Sequence, residues 1–145
     1  MEKMTISYIA RALNIPCPGE GEVTGICTDS RQVAPGCLFV AIQGENFDGH
    51  DFIPAALEQG AACALAHRPG DWPAGKVLMV EDTLKALLAL SAWYRGQMPA
   101  RVVGITGSVG KTTTKEMTAA VLSARFRTVK TQGNLNNELG APKTL

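Results

Sequence analysis

The run Gly104-Ile-Thr-Gly-Ser-Val-Gly-Lys-Thr-Thr-Thr114 sets Gly107 and Gly110 just ahead of a lysine and a row of hydroxyls. That order suits a polyphosphate. Glycines let successive backbone N–H groups converge on phosphate oxygens. Lys111 supplies a point charge for the β- and γ-phosphates, and Thr112 places a hydroxyl where such loops ligate Mg²⁺. The candidate nucleotide contacts are therefore Gly107, Ser108, Val109, Gly110, Lys111, Thr112 and Thr113. Lys111 is also the candidate catalytic cation and Thr112 the candidate metal ligand. The general pattern wants a first glycine five residues before Gly110, where Ile105 stands instead; the nearest glycine is Gly104. An ordinary glycine turn that carries a lysine remains the plain alternative.

The elements that must position this loop are legible on both sides. Val102 to Ile105 is a short apolar run that predicts a buried parallel strand. Met117, Ala120, Val121 and Ala124 fall at i, i+3, i+4 and i+7, which predicts a helix starting at the lysine. Its N-terminus adds the positive end of its dipole to the phosphate site. Arg127 to Thr131 predicts the next strand. Met98-Pro99-Ala100 is the expected hinge, because proline ends one element and a strand begins at once.

Upstream of the hinge, Thr5 is placed to cap a helix through Ile6, Ile9, Ala10 and Leu13. Strands are expected at Val23–Thr28, Cys37–Ile42, Ala61–Ala66 and Lys76–Val80. Asp51 is the expected cap of a short helix reaching Gln59, and Thr83 that of a long apolar helix through Gln97. The fold class that follows is α/β: a small mixed-sheet domain over residues 1–97, then the first strand–helix–strand unit of a phosphate-loop domain over 98–145. Such a unit is near the lower size limit for independent folding. The expectation is the front of a longer protein.

Composition excludes several classes. The chain has 145 residues, 46% apolar and 19% charged, with a net charge of +1, which disfavours a general nucleic-acid grip. Residues 1–97 carry −4 and residues 98–145 carry +5, so the basic half surrounds the phosphate loop. No run of about 18 apolar residues predicts a membrane span. The N-terminus lacks the apolar core of a signal peptide, which favours the cytoplasm. Cys17, Cys27, Cys37 and Cys63 form no Cys-x-x-Cys pair and are expected to be reduced and structural.

Three stretches together resemble the Mur ligases of peptidoglycan precursor synthesis. One is Thr28-Asp-Ser-Arg31 with Pro35-Gly-Cys-Leu-Phe-Val-Ala41 and Gly44-Glu-Asn-Phe-Asp-Gly-His-Asp-Phe-Ile53. Another is Gly104 to Met117, whose missing first glycine that family shares. The third is Thr131-Gln-Gly-Asn-Leu-Asn-Asn-Glu-Leu-Gly-Ala-Pro142. The Lys-Glu-Met after the threonines and the Asn-Asn-Glu run are most similar to the branch that adds D-alanyl-D-alanine; the diaminopimelate- or lysine-adding branch is the alternative.

The resemblance implies an ATP- and Mg²⁺-dependent amide ligase, monomeric and cytoplasmic. ATP would phosphorylate the terminal carboxylate of UDP-N-acetylmuramoyl-tripeptide, and the amine of D-alanyl-D-alanine would attack the acyl phosphate. It also implies that Asn134 approaches the nucleotide, with Asn136 and Asn137 weaker choices. In that family the first domain holds the UDP end of the substrate. The matching positions here are Ser30, Arg31, Gly44, Phe47, Asp48, Gly49 and His50. Their chemistry allows it, since an arginine can pair with a diphosphate and an aromatic can cover a ring. The plainer alternatives stay open: Asp29 and Arg31 as a surface ion pair at a turn, and His50 as a capping or packing residue. The family's remaining machinery is expected beyond residue 145, so these residues alone are expected to show no ligase turnover. A stand-alone UDP-binding module with a vestigial nucleotide segment is the reading from another class.

Overall fold

A computed structural model describes residues 4–44 and 47–131 of the chain. It divides into two compact units, the chain passing from one to the other between Trp93 and Tyr94, inside the long helix that ends at Gln97.

Unit 1 is built on four parallel strands, β3 (Gly25–Cys27), β4 (Cys37–Val40), β5 (Cys63–Ala66) and β6 (Val77–Met79), in that order across the sheet. The register runs Ile26 to Leu38, Leu38 to Cys63 and Leu65 to Leu78. Continuous apolar runs such as Cys37–Val40 and Cys63–Ala66 are what a sheet covered on both faces requires, and every residue of those two strands is buried. One face packs Cys37, Phe39, Ala64 and Ala66 against Ile53 and Ala56 of helix α2 (Ile53–Glu58). Alternation turns Leu38, Val40, Cys63 and Leu65 to the other face. The buried sides of α1 (Ile6–Ala12) and α3 (Thr83–Gln97), chiefly Ile6, Ile9, Leu87 and Leu90, are what remains to cover it. Tyr8 and Trp93 bring those helices together edge to face, with ring centroids 4.7 Å apart.

The antiparallel component is a separate two-stranded ladder, β1 (Met4–Thr5) with β2 (Glu22–Val23), and not part of the main sheet. The single strand expected over Val23–Thr28 is thus divided at Thr24. That residue's amide donates to Gly36 O at 2.9 Å, and its hydroxyl to Pro35 O at 3.2 Å. Thr5 caps α1 as expected, its hydroxyl accepting the Tyr8 amide. Two other caps lie elsewhere. Asp48, not Asp51, opens the segment, because a 3₁₀ turn over Gly49–Phe52 precedes α2. Asp82, not Thr83, caps α3, its Oδ1 accepting the amides of Leu84 and Lys85 at 2.9 Å. Cys17 is exposed and the other three cysteines are buried, all as free thiols; burial pushes the Cys63 thiol up to about 12.

In unit 2 the expected helix is present as α4 (Lys111–Ser123). Val102–Ile105 and Arg127–Thr131 carry no strand ladder among the described residues, since a strand exists only through a partner's hydrogen bonds and none of them supplies one. Met117 and Val121 of the expected apolar stripe are exposed, and Ala119 is the buried residue of α4. Among the described residues no helix is long and apolar enough to cross a membrane.

Candidate functional site

The glycine loop of unit 2 has the backbone of an anion cradle. Gly107 (φ 149°) and Gly110 (φ 78°) both adopt positive φ, and Gly110 forms the N-cap of α4. A side chain at Gly110 would meet no neighbour, so the glycine is there for its conformation and not for space. Thr114 donates to Gly110 O at 2.9 Å, the first bond of the helix. The amides of Ser108 to Thr113 find no acceptor among the described residues, which leaves a row of donors at a helix N-terminus. Lys111 is half-buried and folds back over the loop, its Nζ donating to Gly107 O at 2.6 Å. Its ammonium is therefore held above the turn and not in an apolar pocket. Thr112 and Thr113 are exposed on the first turn. This donor set fits a polyphosphate. Lys115 leans away to Thr131 O at 2.7 Å, and Glu116 pairs with Lys130. Asn134, Asn136 and Asn137 lie outside the described residues.

In unit 1 the candidate substrate loop is folded by its own polar groups. Gly44 donates to Phe47 O at 2.9 Å, Gln43 bridges Asp48, and Gly49 donates to Ile42 O at 2.9 Å. Phe47 stands 75% exposed at the outer end. Gly49 has a steric reason: a Cβ there would lie 2.7 Å from Ile42 N. Asp48 collects partners on both oxygens. Its Oδ1 accepts the His50 amide at 2.9 Å and His50 Nδ1 at 2.5 Å, and its Oδ2 faces Arg68 at 3.1 Å. These hold its carboxyl below the usual range, the His50 amide foremost.

His50 lies beneath the loop. Its side chain is fully buried, and its Nε2 accepts the His67 main-chain amide at 3.1 Å. That acceptor role leaves the ring proton on Nδ1, donated to Asp48. Both nitrogens are engaged, so His50 anchors the loop from beneath. Arg31 is exposed, but its guanidinium is forked onto Asp29 at 2.9 and 2.8 Å, and Asp29 also caps the turn Ser30–Gln32 through the Arg31 amide. The fork fixes the plane of the guanidinium and leaves Nη1 without a partner among the described residues. Ser30 is half-buried on the same turn.

Sequence reasoning read His67 as a loop residue and Thr83 as a helix cap, and gave neither a place in a site. Thr83 is buried, its hydroxyl donating to Ala41 O at 2.7 Å and accepting from His67 Nδ1 at 3.2 Å. With Ile42, Gln43, Glu81, Asp82 and Leu84 they line a cavity of about 300 Å³. The signal available was position: these residues directly follow the strands Cys37–Val40, Cys63–Ala66 and Val77–Met79, at the carboxyl ends where parallel sheets hold ligands.

Comparison with known proteins gives consistent answers. The UDP-N-acetylmuramoyl-tripeptide–D-alanyl-D-alanine ligase of Escherichia coli K12 is 48% identical over 147 aligned positions, covering the whole of this chain and 32% of that protein. The crystal structure of MurF from Acinetobacter baumannii superposes with a TM-score of 0.88 at 39% identity, over 99% of this chain and 33% of that one. MurF ligase from Thermotoga maritima, solved in complex with ADP, gives a TM-score of 0.76 at 38% identity, over 84% of this chain and 28% of that one. The chain thus spans about a third of the length of the relatives it matches. Residues 105–145 match the Mur ligase middle domain, and residues 22–122 match the description "Mur ligase family, catalytic domain". With the phosphate-loop backbone and the polar loops of unit 1 alike placed within those matches, the chain belongs to the Mur ligase family.

Proposed function

We propose that the chain forms the UDP-substrate-holding and phosphate-loop portions of an ATP-dependent amide ligase that joins D-alanyl-D-alanine to UDP-N-acetylmuramoyl-tripeptide. The observation that carries this reading is the row of amides from Ser108 to Thr113, without an acceptor among the described residues, beside the Lys111 ammonium. It stands in a chain 48% identical to a ligase of that name.

The chemistry calls for such a loop. A carboxylate is a poor acyl donor until one oxygen leaves as phosphate, and ATP with Mg²⁺ supplies that phosphoryl group when bound. The amides at Gly107–Thr113 orient the triphosphate. Lys111 exchanges its bond to Gly107 O for the β/γ-phosphates and balances the charge that builds during transfer, while Thr112 provides one metal ligand. Asn134 is assigned to the same site. Residues 1–97 hold the UDP end: Arg31, its plane set by Asp29, turns Nη1 to the diphosphate; Ser30 meets the uracil edge, with Gly44 and Gly49 shaping the loop beside it; Phe47 covers a ring. Asp48 and His50 hold that loop in shape. The ligase works as a cytoplasmic monomer, and turnover is assigned to a whole ligase and not to these 145 residues by themselves.

Separate titrations of the 145-residue chain with UDP and with Mg·ATP test this. UDP should bind, and Arg31→Ala should weaken it about tenfold, as loss of a charge-assisted pair does. Lys111→Ala should remove Mg·ATP binding and leave the UDP affinity where it was. A chain indifferent to UDP, or a Lys111→Ala variant that binds Mg·ATP as the parent does, would sink the proposal.

A further inference from the structure

Lys115 carries an inference that rests on the reading just given and adds a positioning residue to its nucleotide site. It lies one helical turn after Lys111, so the two ammonium groups share a face of α4. Like charges at that spacing oppose each other on a helix, and the sequence keeps both. The structure sends them to different carbonyls. Lys111 Nζ donates back to Gly107 O at 2.6 Å, whereas Lys115 Nζ donates to Thr131 O at 2.7 Å, sixteen residues on. The Lys115 side chain is only 18% exposed, against 47% for Glu116 and Lys130. An ammonium drawn that far out of water depends on the bonds it makes. Glu116 completes the tie, its Oε1 3.4 Å from Lys115 Nζ and its Oε2 paired with Lys130.

Arg127–Thr131 has no strand ladder, and no main-chain hydrogen bond holds it among the described residues. Two adjacent side chains of α4 thus do for Lys130 and Thr131 what a neighbouring strand would otherwise do. The sequence gives that tie its meaning. Thr131 stands three residues before Asn134, which the reading above assigns to the nucleotide. Three residues span at most about 11 Å, so the place where Thr131 is held bounds where Asn134 can reach. One helix face then carries two separate duties: Lys111 meets the phosphates, and the next lysine sets the origin of a second contact. We propose that Lys115 is a positioning residue of the nucleotide site: through the Thr131 carbonyl it fixes the point from which the chain leads to Asn134, without touching the nucleotide itself.

The test is a double-mutant cycle read by Mg·ATP titration of the 145-residue chain, with UDP affinity and far-UV dichroism as checks on folding. Lys115→Met keeps the stem and loses the ammonium. It should weaken Mg·ATP about three- to tenfold, the fraction of molecules with the segment in place falling by that factor. Lys115→Arg, still a cationic donor, should recover most of the loss. In an Asn134→Ala background Lys115→Met should cost less than about twofold, because the group it positions is gone. Losses that simply multiply would mean that Lys115 only steadies α4 or meets the nucleotide directly, and would overturn the inference. So would a Lys115→Met chain that binds Mg·ATP as the parent does, or an Asn134→Ala change without effect. Should Lys115→Met lose its helix, Glu116→Ala on an exposed side chain carries the cycle; freeing Lys130 should weaken Mg·ATP about twofold in the parent and leave the Asn134→Ala chain unchanged. A parent without affinity for Mg·ATP would sink the reading beneath, and this inference with it.

Discussion

Asp48 gathers a main-chain amide, an imidazole and a guanidinium on one carboxylate, so its charge and its hydrogen bonds can be separated by mutation. Asp48→Asn keeps an acceptor for His50 and loses the charge. The folded carboxyl titrates below its ordinary value of 3.8. Its stabilising contribution is therefore complete above that value and is lost as pH falls through the lowered one. Thermal melts should show the parent ahead of the variant by a constant margin from pH 7 to about 5, closing below about pH 4; a margin that persists to pH 2 would contradict this. Thr83→Val should cost about 1–3 kcal/mol in urea unfolding by orphaning the buried Ala41 carbonyl, and Thr83→Ser distinctly less. At this scale the sequence pointed to Asp51 and Thr83 as caps, where the structure uses Asp48 and Asp82. In each pair both residues can cap a helix, and the choice turned on a 3₁₀ turn in one case and a long-range bond to Ala41 in the other. His50 shows the same limit: its residue type permits contact or packing, and only the distant His67 amide decides.

At the scale of elements, the loop between β5 and β6 is closed by an aromatic lid. A Cβ at Gly70 would fall 2.4 Å from the Trp72 ring, which stacks near His50 with centroids 6.4 Å apart. Gly70→Ala should expel that ring and red-shift its emission in a Trp93→Phe background that leaves one tryptophan; an unshifted spectrum would show that the loop simply gives way. Helices were legible because their apolar periodicity is local: α1, α3 and α4 all lie where it places them. The two fully buried strands, β4 and β5, were legible for their uninterrupted apolar runs. Val102–Ile105 reads the same way, yet its valines are more than 60% exposed. An apolar run records a demand for burial, and whether a ladder answers it depends on residues far away in the chain.

Over the whole molecule, packing density differs between the two units. Unit 1 holds nearly all the buried apolar side chains, whereas Val109, Met117, Val121, Phe126 and Val129 of unit 2 are exposed. Limited proteolysis should cut first in the extended stretch around Met98–Arg101 and leave the preceding residues intact. Uniform resistance along the chain would refute that. The family and the phosphate loop were readable because glycine, lysine and threonine act there through local backbone geometry. The cavity was not, because three separate strand ends assemble it. The main sheet adds its strands in sequence order, with no reversal. On the reading proposed above, recognition in unit 1 has no switch-point crevice to occupy and falls to the rim, in segments such as 47–52 that carry none of the main sheet's ladder bonds. On that reading, substitutions at the rim would retune substrate preference while the scaffold stands still.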